Sequence, residues 1–215
     1  MKSFMIRYAM TVSAGMFCVL GLLMAGDRLL EPVTISVIVV LFAWAAIEFL
    51  LGRTRPVEGI VPSHRLIGLS RAGWVFSIIY SWLDVRHGWT HVDITPSVAA
   101  AMLLLCLAAL ILRFWAIMHL GPSFTYDVKR PQGNALVQTG PYRLVRHPGY
   151  LGIVFLATVP GLAVGSLAGF AGLLATTLVQ TIIRINAEDR MLEENFGEAF
   201  REYARKTRRL LPYLY

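Results

Sequence analysis

The stretch Gly140-Pro141-Tyr142-Arg143-Leu144-Val145-Arg146-His147-Pro148-Gly149-Tyr150-Leu151-Gly152 runs straight into the apolar segment 153–183, and the reading of that junction decides the fold. Cations, an imidazole, two prolines and two tyrosines are packed between hydrophobic segments. Pro148 removes a backbone donor and pushes His147 out of helical conformation. It suits the first turn of a helix starting near Gly149. His147 then stands at the mouth of that helix, beside backbone N–H groups that have no partner within it. The run 153–183 exceeds the roughly 20 apolar residues that one span needs. Pro160, Gly161, Gly165, Ser166 and Gly169 interrupt its first half to middle, which predicts two short helices joined by a tight hairpin.

Working outward, four more apolar segments qualify as spans: 8–25, 33–51, 72–89 and 97–118. The segment 72–89 is the weakest, because its apolar core stops at Leu83 before Asp84, Arg86 and His87. Charge supplies a second criterion. With a cytoplasmic N-terminus and six crossings, all but two of the 20 Lys and Arg residues, Arg28 and Arg86, fall on or near the cytoplasmic side. That is the asymmetry expected of cytoplasmic loops. Without the crossing at 72–89, the tract from Lys129 to Arg146 would lie opposite Arg53, Arg55, Arg65 and Arg71. The expected architecture is therefore an all-α polytopic membrane bundle of five to six transmembrane helices. A C-terminal amphipathic helix should lie on its cytoplasmic side, since Met191, Leu192, Phe196, Phe200 and Tyr203 recur at helical spacing.

Composition agrees. Of 215 residues, 56% are hydrophobic and only 15% charged, against about 25% charged in an average soluble domain. The mean hydropathy is +0.61. The net charge of +7 is read as cytoplasmic-loop bias and not as a nucleic-acid surface. Cys18 and Cys106 lie far apart in apolar runs, which suggests buried free thiols. His64, His87 and His91 lack metal-ligand spacing, so no metal site is expected. Gly-rich phosphate loops, Gly-x-Ser-x-Gly and the Rossmann signature are absent.

Two polar clusters carry the candidate chemistry. One is Arg146-His147-Pro148, which could equally be a charge anchor and a loop residue at a helix start. The other is Arg184-Ile185-Asn186-Ala187-Glu188-Asp189. Arg184 and Glu188, four apart, share a helix face where a membrane helix emerges. A surface ion pair is one reading. Because charge beside hydrocarbon is costly, a functional site is the other. Glu188 and Asp189 diverge by about 100° on a helix and do not form an acid/base dyad. Arg113 and His119 read as helix-end residues, and Gly121-Pro122-Ser123 as a turn.

Taken together, Asn134-Ala135-Leu136-Val137, Gly140-Pro141-Tyr142, Arg146-His147-Pro148-x-Tyr150-x-Gly152, Arg184-x-x-x-Glu188-Asp189, Phe196-Gly197-x-x-Phe200-x-x-Tyr203 and Leu211-Pro212 stand in order at suitable spacing. This pattern, over about 112–212, resembles the isoprenylcysteine carboxyl methyltransferase family and, more broadly, the membrane phospholipid methyltransferases. The resemblance implies an S-adenosylmethionine-dependent enzyme acting on a lipophilic acceptor from the bilayer. It implies that Lys129, Asn134, Ala135, Leu136, Val137, Tyr142, His147, Pro148, Gly149, Tyr150 and Glu188 enclose the cofactor. It assigns the acceptor to Arg184, and the chemistry to Arg184 and Glu188. Residues 1–111 would then form the acceptor-binding spans and 112–215 the cofactor region of one structural domain. The chain departs from the family pattern with Asp189 in place of a second glutamate, Asn134 in place of a common basic residue, and Phe200 in place of a frequent tyrosine.

Carboxyl O-methylation of an isoprenylcysteine-like substrate is the expected activity. A phospholipid N-methyltransferase and an NADPH-dependent sterol-type reductase are the alternatives. Short loops suit a prokaryotic inner membrane with both termini cytoplasmic. Oligomeric state is open. The whole reading requires that the His147 and Glu188 stretches converge on one pocket.

Overall fold

A computed structural model describes residues 35–36, 39–44, 46–47, 64–124 and 136–211. The expected span 8–25 lies outside them, as do Lys129, Asn134 and Ala135 of the expected cofactor site. Five complete helices are described: α1 (His64–His87), α2 (Pro96–Leu120), α3 (Pro148–Ala163), α4 (Leu167–Phe196) and α5 (Glu198–Lys206). Short 3-10 turns at Gly121–Ser123 and Gly140–Arg143 lie between α2 and α3. The described parts of 35–47 are also helical.

Local chemistry sets the helix ends. Thr95 caps α2 by accepting from Val98 N, Pro96 occupies the first turn, and Gly121 ends the helix at φ 52°. Ser166 caps α4 by accepting from Gly169 N. Pro148 opens α3, one residue before the expected start. The run 153–183 does split into two helices, with the hairpin at Gly165 and Ser166. The second of them is not short. α4 continues through Arg184, Glu188 and Asp189 to Phe196 without a break, because nothing in that tract removes a backbone donor or forces φ positive. Only Gly197, at φ 53°, ends it. The amphipathic helix expected after Arg184 is thus divided: its first half extends α4, and α5 buries Phe200 and Tyr203.

The helices pack in series, α1 on α4, α4 on α3, and α3 on α2. α1 runs antiparallel to α4. The Ser70 hydroxyl donates to Thr176 O at 2.7 Å near one end, and the Ser166 hydroxyl donates to the Asp84 carboxylate at 2.5 Å at the other. The weakest expected segment, 72–89, is therefore part of a helix that begins earlier and keeps Asp84, Arg86 and His87 at its end. Small residues permit the close approaches: a Cβ on Gly152 would stand 2.8 Å from Ala109 O. This is how membrane helices associate, since lipid offers no hydrophobic drive between them. Val40, Met102, Cys106, Ala109, Leu156 and Val159 form the shared core.

α2 and α4 are long and apolar enough to cross a bilayer. Leu69, Phe76, Leu104 and Ile111 are each about two-thirds exposed. Such faces are rare on soluble monomers but ordinary against lipid. The apolar part of α4 stops at Ile183, so Arg184 to Phe196 project beyond it.

Candidate active site

The polar end of α4, the turn before α3 and the segment after α5 converge at one end of the bundle. His147 is buried, 3% exposed. Its Nε2 lies 2.8 Å from Asp189 Oδ1, and its Nδ1 lies 3.9 Å from Glu188 Oε2. The two carboxylates diverge around α4, as adjacent helical residues must, yet both reach this one ring from different sides. The convergence required by the sequence reading is therefore met. The imidazole also stands edge-on to the Tyr150 ring, with centroids 5.7 Å apart.

Arg184 and Glu188 meet at Tyr150. Arg184 Nε donates to the Tyr150 hydroxyl at 3.2 Å, with its guanidinium 5.9 Å from the ring centre. Glu188, one turn further along α4, lies close enough to act electrostatically on the same hydroxyl. Tyr150 thus stands between the residue expected to face the acceptor and the one expected to face the cofactor. Tyr142 is buried below, its hydroxyl donating to Ala116 O at 3.3 Å and its carbonyl accepting from Tyr203 at 2.7 Å. Pro148 and Gly149 are buried in the first turn of α3. Leu136 and Val137 are half-buried and lead into the latch at the end of α2, where His119 Nε2 and Thr139 Oγ1 are 2.8 Å apart.

Four residues to which the resemblance assigns no cofactor or acceptor contact belong here, two of them, Arg146 and Asp189, from the polar clusters singled out in the sequence. Asp189 is the first. Burial alone would raise its pKa, but the His147 hydrogen bond and the charges of His147, Arg146 and Arg209 outweigh that and hold it below the usual carboxylate range. Arg209 Nε lies 3.0 Å from Asp189 Oδ2. Arg146 Nε lies 3.8 Å from Asp189 Oδ1, and Arg146 Nη1 donates to Ala204 O and Thr207 O. Arg113, expected only to mark a helix end, is buried seven residues before it. A Cβ on Gly149 would stand 2.9 Å from Arg113 Nη1, so the guanidinium lies against the His147-Pro148-Gly149 turn. A basic residue inside an apolar helix was the available signal for Arg113. For Asp189 it was the neighbouring glutamate. Arg209 had no sequence signal, because its place depends on how the chain returns after α5.

Among the described residues, no group of three or more His, Cys, Asp or Glu is arranged to hold a metal ion. The arrangement is a half-buried to buried cluster of cations and carboxylates beyond the apolar part of α4. The chain superposes on the solved eukaryotic intramembrane Ras methyltransferase ICMT with a TM-score of 0.61 and 21% identity, covering 97% of this chain and 76% of that one. That likeness shows a shared helical intramembrane fold. A family model for isoprenylcysteine carboxyl methyltransferases matches residues 100–194. The cobalt-zinc-cadmium resistance protein CzcN of Cupriavidus metallidurans is 32% identical over 76% of this chain and 70% of its own length. The protein-S-isoprenylcysteine O-methyltransferase of Schizosaccharomyces pombe is 32% identical over 53% of this chain and 48% of its own. The chain belongs to the isoprenylcysteine carboxyl methyltransferase family.

Proposed function

We propose that this protein transfers a methyl group from S-adenosylmethionine to the carboxylate of a lipophilic, isoprenylcysteine-like acceptor that enters from the bilayer. The observation that carries this reading is the convergence of Arg184 and Glu188 on the His147–Tyr150 pair, Arg184 through the Tyr150 hydroxyl and Glu188 through His147 Nδ1. A cation suited to a carboxylate and a carboxylate suited to hydroxyl or ammonium donors stand on either side of it.

The residues fit such a cofactor. Glu188 is about one-third exposed at its side chain and lies beside the buried His147-Pro148-Gly149 turn. It can accept from ribose hydroxyls or an ammonium group. Leu136, Val137 and Tyr142 supply half-buried and buried apolar surface, and Lys129, Asn134 and Ala135 complete the proposed set. When bound, S-adenosylmethionine supplies a methyl group on a positively charged sulfur. Arg184 holds the acceptor carboxylate, an arrangement that favours paired hydrogen bonds. That carboxylate needs no general base, since its unperturbed pKa is about 4. Positioning and exclusion of water therefore do most of the work, with attacking oxygen and methyl carbon held in line.

An amine acceptor would need its proton removed, with His147 and the carboxylates as the groups at hand, whereas a carboxylate acceptor needs no such step, which makes carboxyl methylation the simpler fit. Family membership decides against the nicotinamide-dependent reductase. The family model covers 100–194, the part of the chain that holds His147, Tyr150, Arg184 and Glu188. This supports placing the cofactor region in 112–215 and acceptor selection in 1–111. The charge asymmetry supports an inner-membrane protein with both termini cytoplasmic and a bundle of five to six spans.

The test is calorimetric titration of the detergent-solubilised protein with S-adenosylhomocysteine and with NADPH, followed by transfer of labelled methyl into a lipid extract. Binding of the first nucleotide and label in a base-labile ester are expected. Binding of NADPH alone overturns the reading.

A further inference from the structure

The segment after α5 does not trail away from the bundle. It lies across the turn that carries His147. Arg146 N donates to Arg208 O at 2.7 Å and His147 N to Arg209 O at 2.9 Å, forming a short parallel bridge. Arg146 Nη1 grips the same segment from below through Ala204 O and Thr207 O. Tyr203 ties α5 to the carbonyl of Tyr142. From this strap the Arg209 side chain reaches α4, with Nε 3.0 Å from Asp189 Oδ2 and Nη1 donating to Asn186 Oδ1 at 3.1 Å. The other oxygen of Asp189 holds His147 Nε2.

We infer that Arg209 is a positioning residue that acts through Asp189 to fix the His147 ring, so that Nδ1 and not Nε2 faces Glu188 and the cofactor. Which nitrogen of an imidazole faces a ligand is decided by the partner of the other nitrogen. Here that partner is a carboxylate with two oxygens and two separate duties. Arg209 occupies Oδ2, while Oδ1 holds the ring at 2.8 Å with Arg146 Nε further off at 3.8 Å. Without Arg209, Asp189 can rotate and the ring loses its fixed anchor. Because the main chain of the same strap also pairs with Arg146 and His147, ring and anchor are set by one segment. The inference rests on the proposed cofactor site for its functional consequence, but not for the ring geometry.

The experiment uses the full chain in detergent, labelled with 15N-histidine, as wild type, Arg209→Gln, Arg209→Lys and Asp189→Asn. The His147 signals are assigned with His147→Asn. Two quantities are read: the His147 Nε2 resonance and the affinity for S-adenosylhomocysteine. Arg209→Gln should move the Nε2 resonance while the other histidine signals stay, and should weaken affinity by on the order of ten-fold. Arg209→Lys, which keeps a charge beside Oδ2 but loses the fork that also reaches Asn186, should move the resonance less than Arg209→Gln and keep the affinity within about three-fold of wild type. Asp189→Asn should move the resonance in the same direction as Arg209→Gln, and it carries the test if Arg209→Gln does not fold. An Arg209→Gln protein that melts earlier but keeps its Nε2 signal and its affinity overturns the inference, as does an unchanged signal in Asp189→Asn. If wild type binds no S-adenosylhomocysteine, the cofactor reading fails, and the resonance alone still decides the role of Arg209.

Discussion

Two buried aspartates stand at opposite ends of the bundle, and their partners differ in kind. Asp84 is fully buried at the end of α1. It accepts from Thr90 N and Thr90 Oγ1 at 2.6 Å each and from Ser166 Oγ at 2.5 Å. All three are neutral donors, and all belong to turns next to α1 and α4. Asp189, at the other end, is surrounded by Arg146, Arg209 and the His147 ring. Neutral donors saturate Asp84 and pin the loop 88–95 to the hairpin before α4, where Val92 N also donates to Gly165 O at 2.8 Å. Cations from distant segments bind Asp189 and leave Glu188, its neighbour, partly exposed and proposed to serve the cofactor. Burial of a carboxylate therefore does not by itself mark a site. The charge of its partners and the presence of an adjacent group free to serve a ligand make the distinction.

The largest effect that can break this contrast is at Arg184. Arg184→Ala should lower turnover by at least about 100-fold, because a misplaced acceptor loses in-line geometry, while S-adenosylhomocysteine affinity stays within a few-fold. Steady-state assays with calorimetry check both. Loss of nucleotide binding with normal acceptor binding would exchange the roles assigned to Arg184 and Glu188. Next is Glu188→Gln, which removes a charged acceptor of hydrogen bonds worth about 1.5–3 kcal/mol. Calorimetry should show roughly ten- to hundred-fold weaker nucleotide binding. Unchanged affinity removes Glu188 from the site and leaves the two ends of the bundle chemically alike.

Asp84→Ala sharpens the contrast from the far end. It strands the buried Ser166 hydroxyl, at a cost of about 1–3 kcal/mol, and the partly buried donors of Thr90 at less. The melting temperature in detergent should fall, and nucleotide affinity per folded molecule should not change by more than about two-fold. A lost affinity at preserved melting temperature would mean that the far end communicates with the pocket.

The contrast also separates what the sequence makes legible from what it does not. The Pro148 start, the break at Gly165 and Ser166 and the run 97–118 are local signals that the structure matches within a residue or two, whereas the helix holding 72–89 begins eight residues earlier, at His64, and the run 8–25 lies outside the described residues. Tyr142, His147, Tyr150, Arg184 and Glu188 are brought to one place, as their motifs imply. The continuation of α4 past Arg184 was harder to read, because polar residues at helical spacing suit a continuing helix as well as a separate one. Arg113 looked like a helix-end cation, and only packing against Gly149 gives it a place in the site. Arg209 and Asp84 find partners far away in sequence, at Asp189 and Ser166, and no periodicity encodes such pairs.

The smallest effect compares one backbone constraint at both ends. Gly140 has φ 58° and lies beneath the His119 ring, where a Cβ would stand 2.6 Å from Cε1. Gly165 has φ 81°, and a Cβ there would stand 2.5 Å from Val92 O. An alanine at either position costs about 1 kcal/mol or more for positive φ, before any clash. Both substitutions should lower the melting temperature by a few degrees. Only Gly140→Ala should also weaken nucleotide binding, by several-fold, because it displaces His119 from Thr139 and disturbs the turn that leads to Tyr142. Gly165→Ala disturbs a hairpin that touches no proposed ligand contact. Equal losses of affinity in the two variants would mean that the pocket responds to global stability alone, and the division between a structural end and a chemical end would not hold.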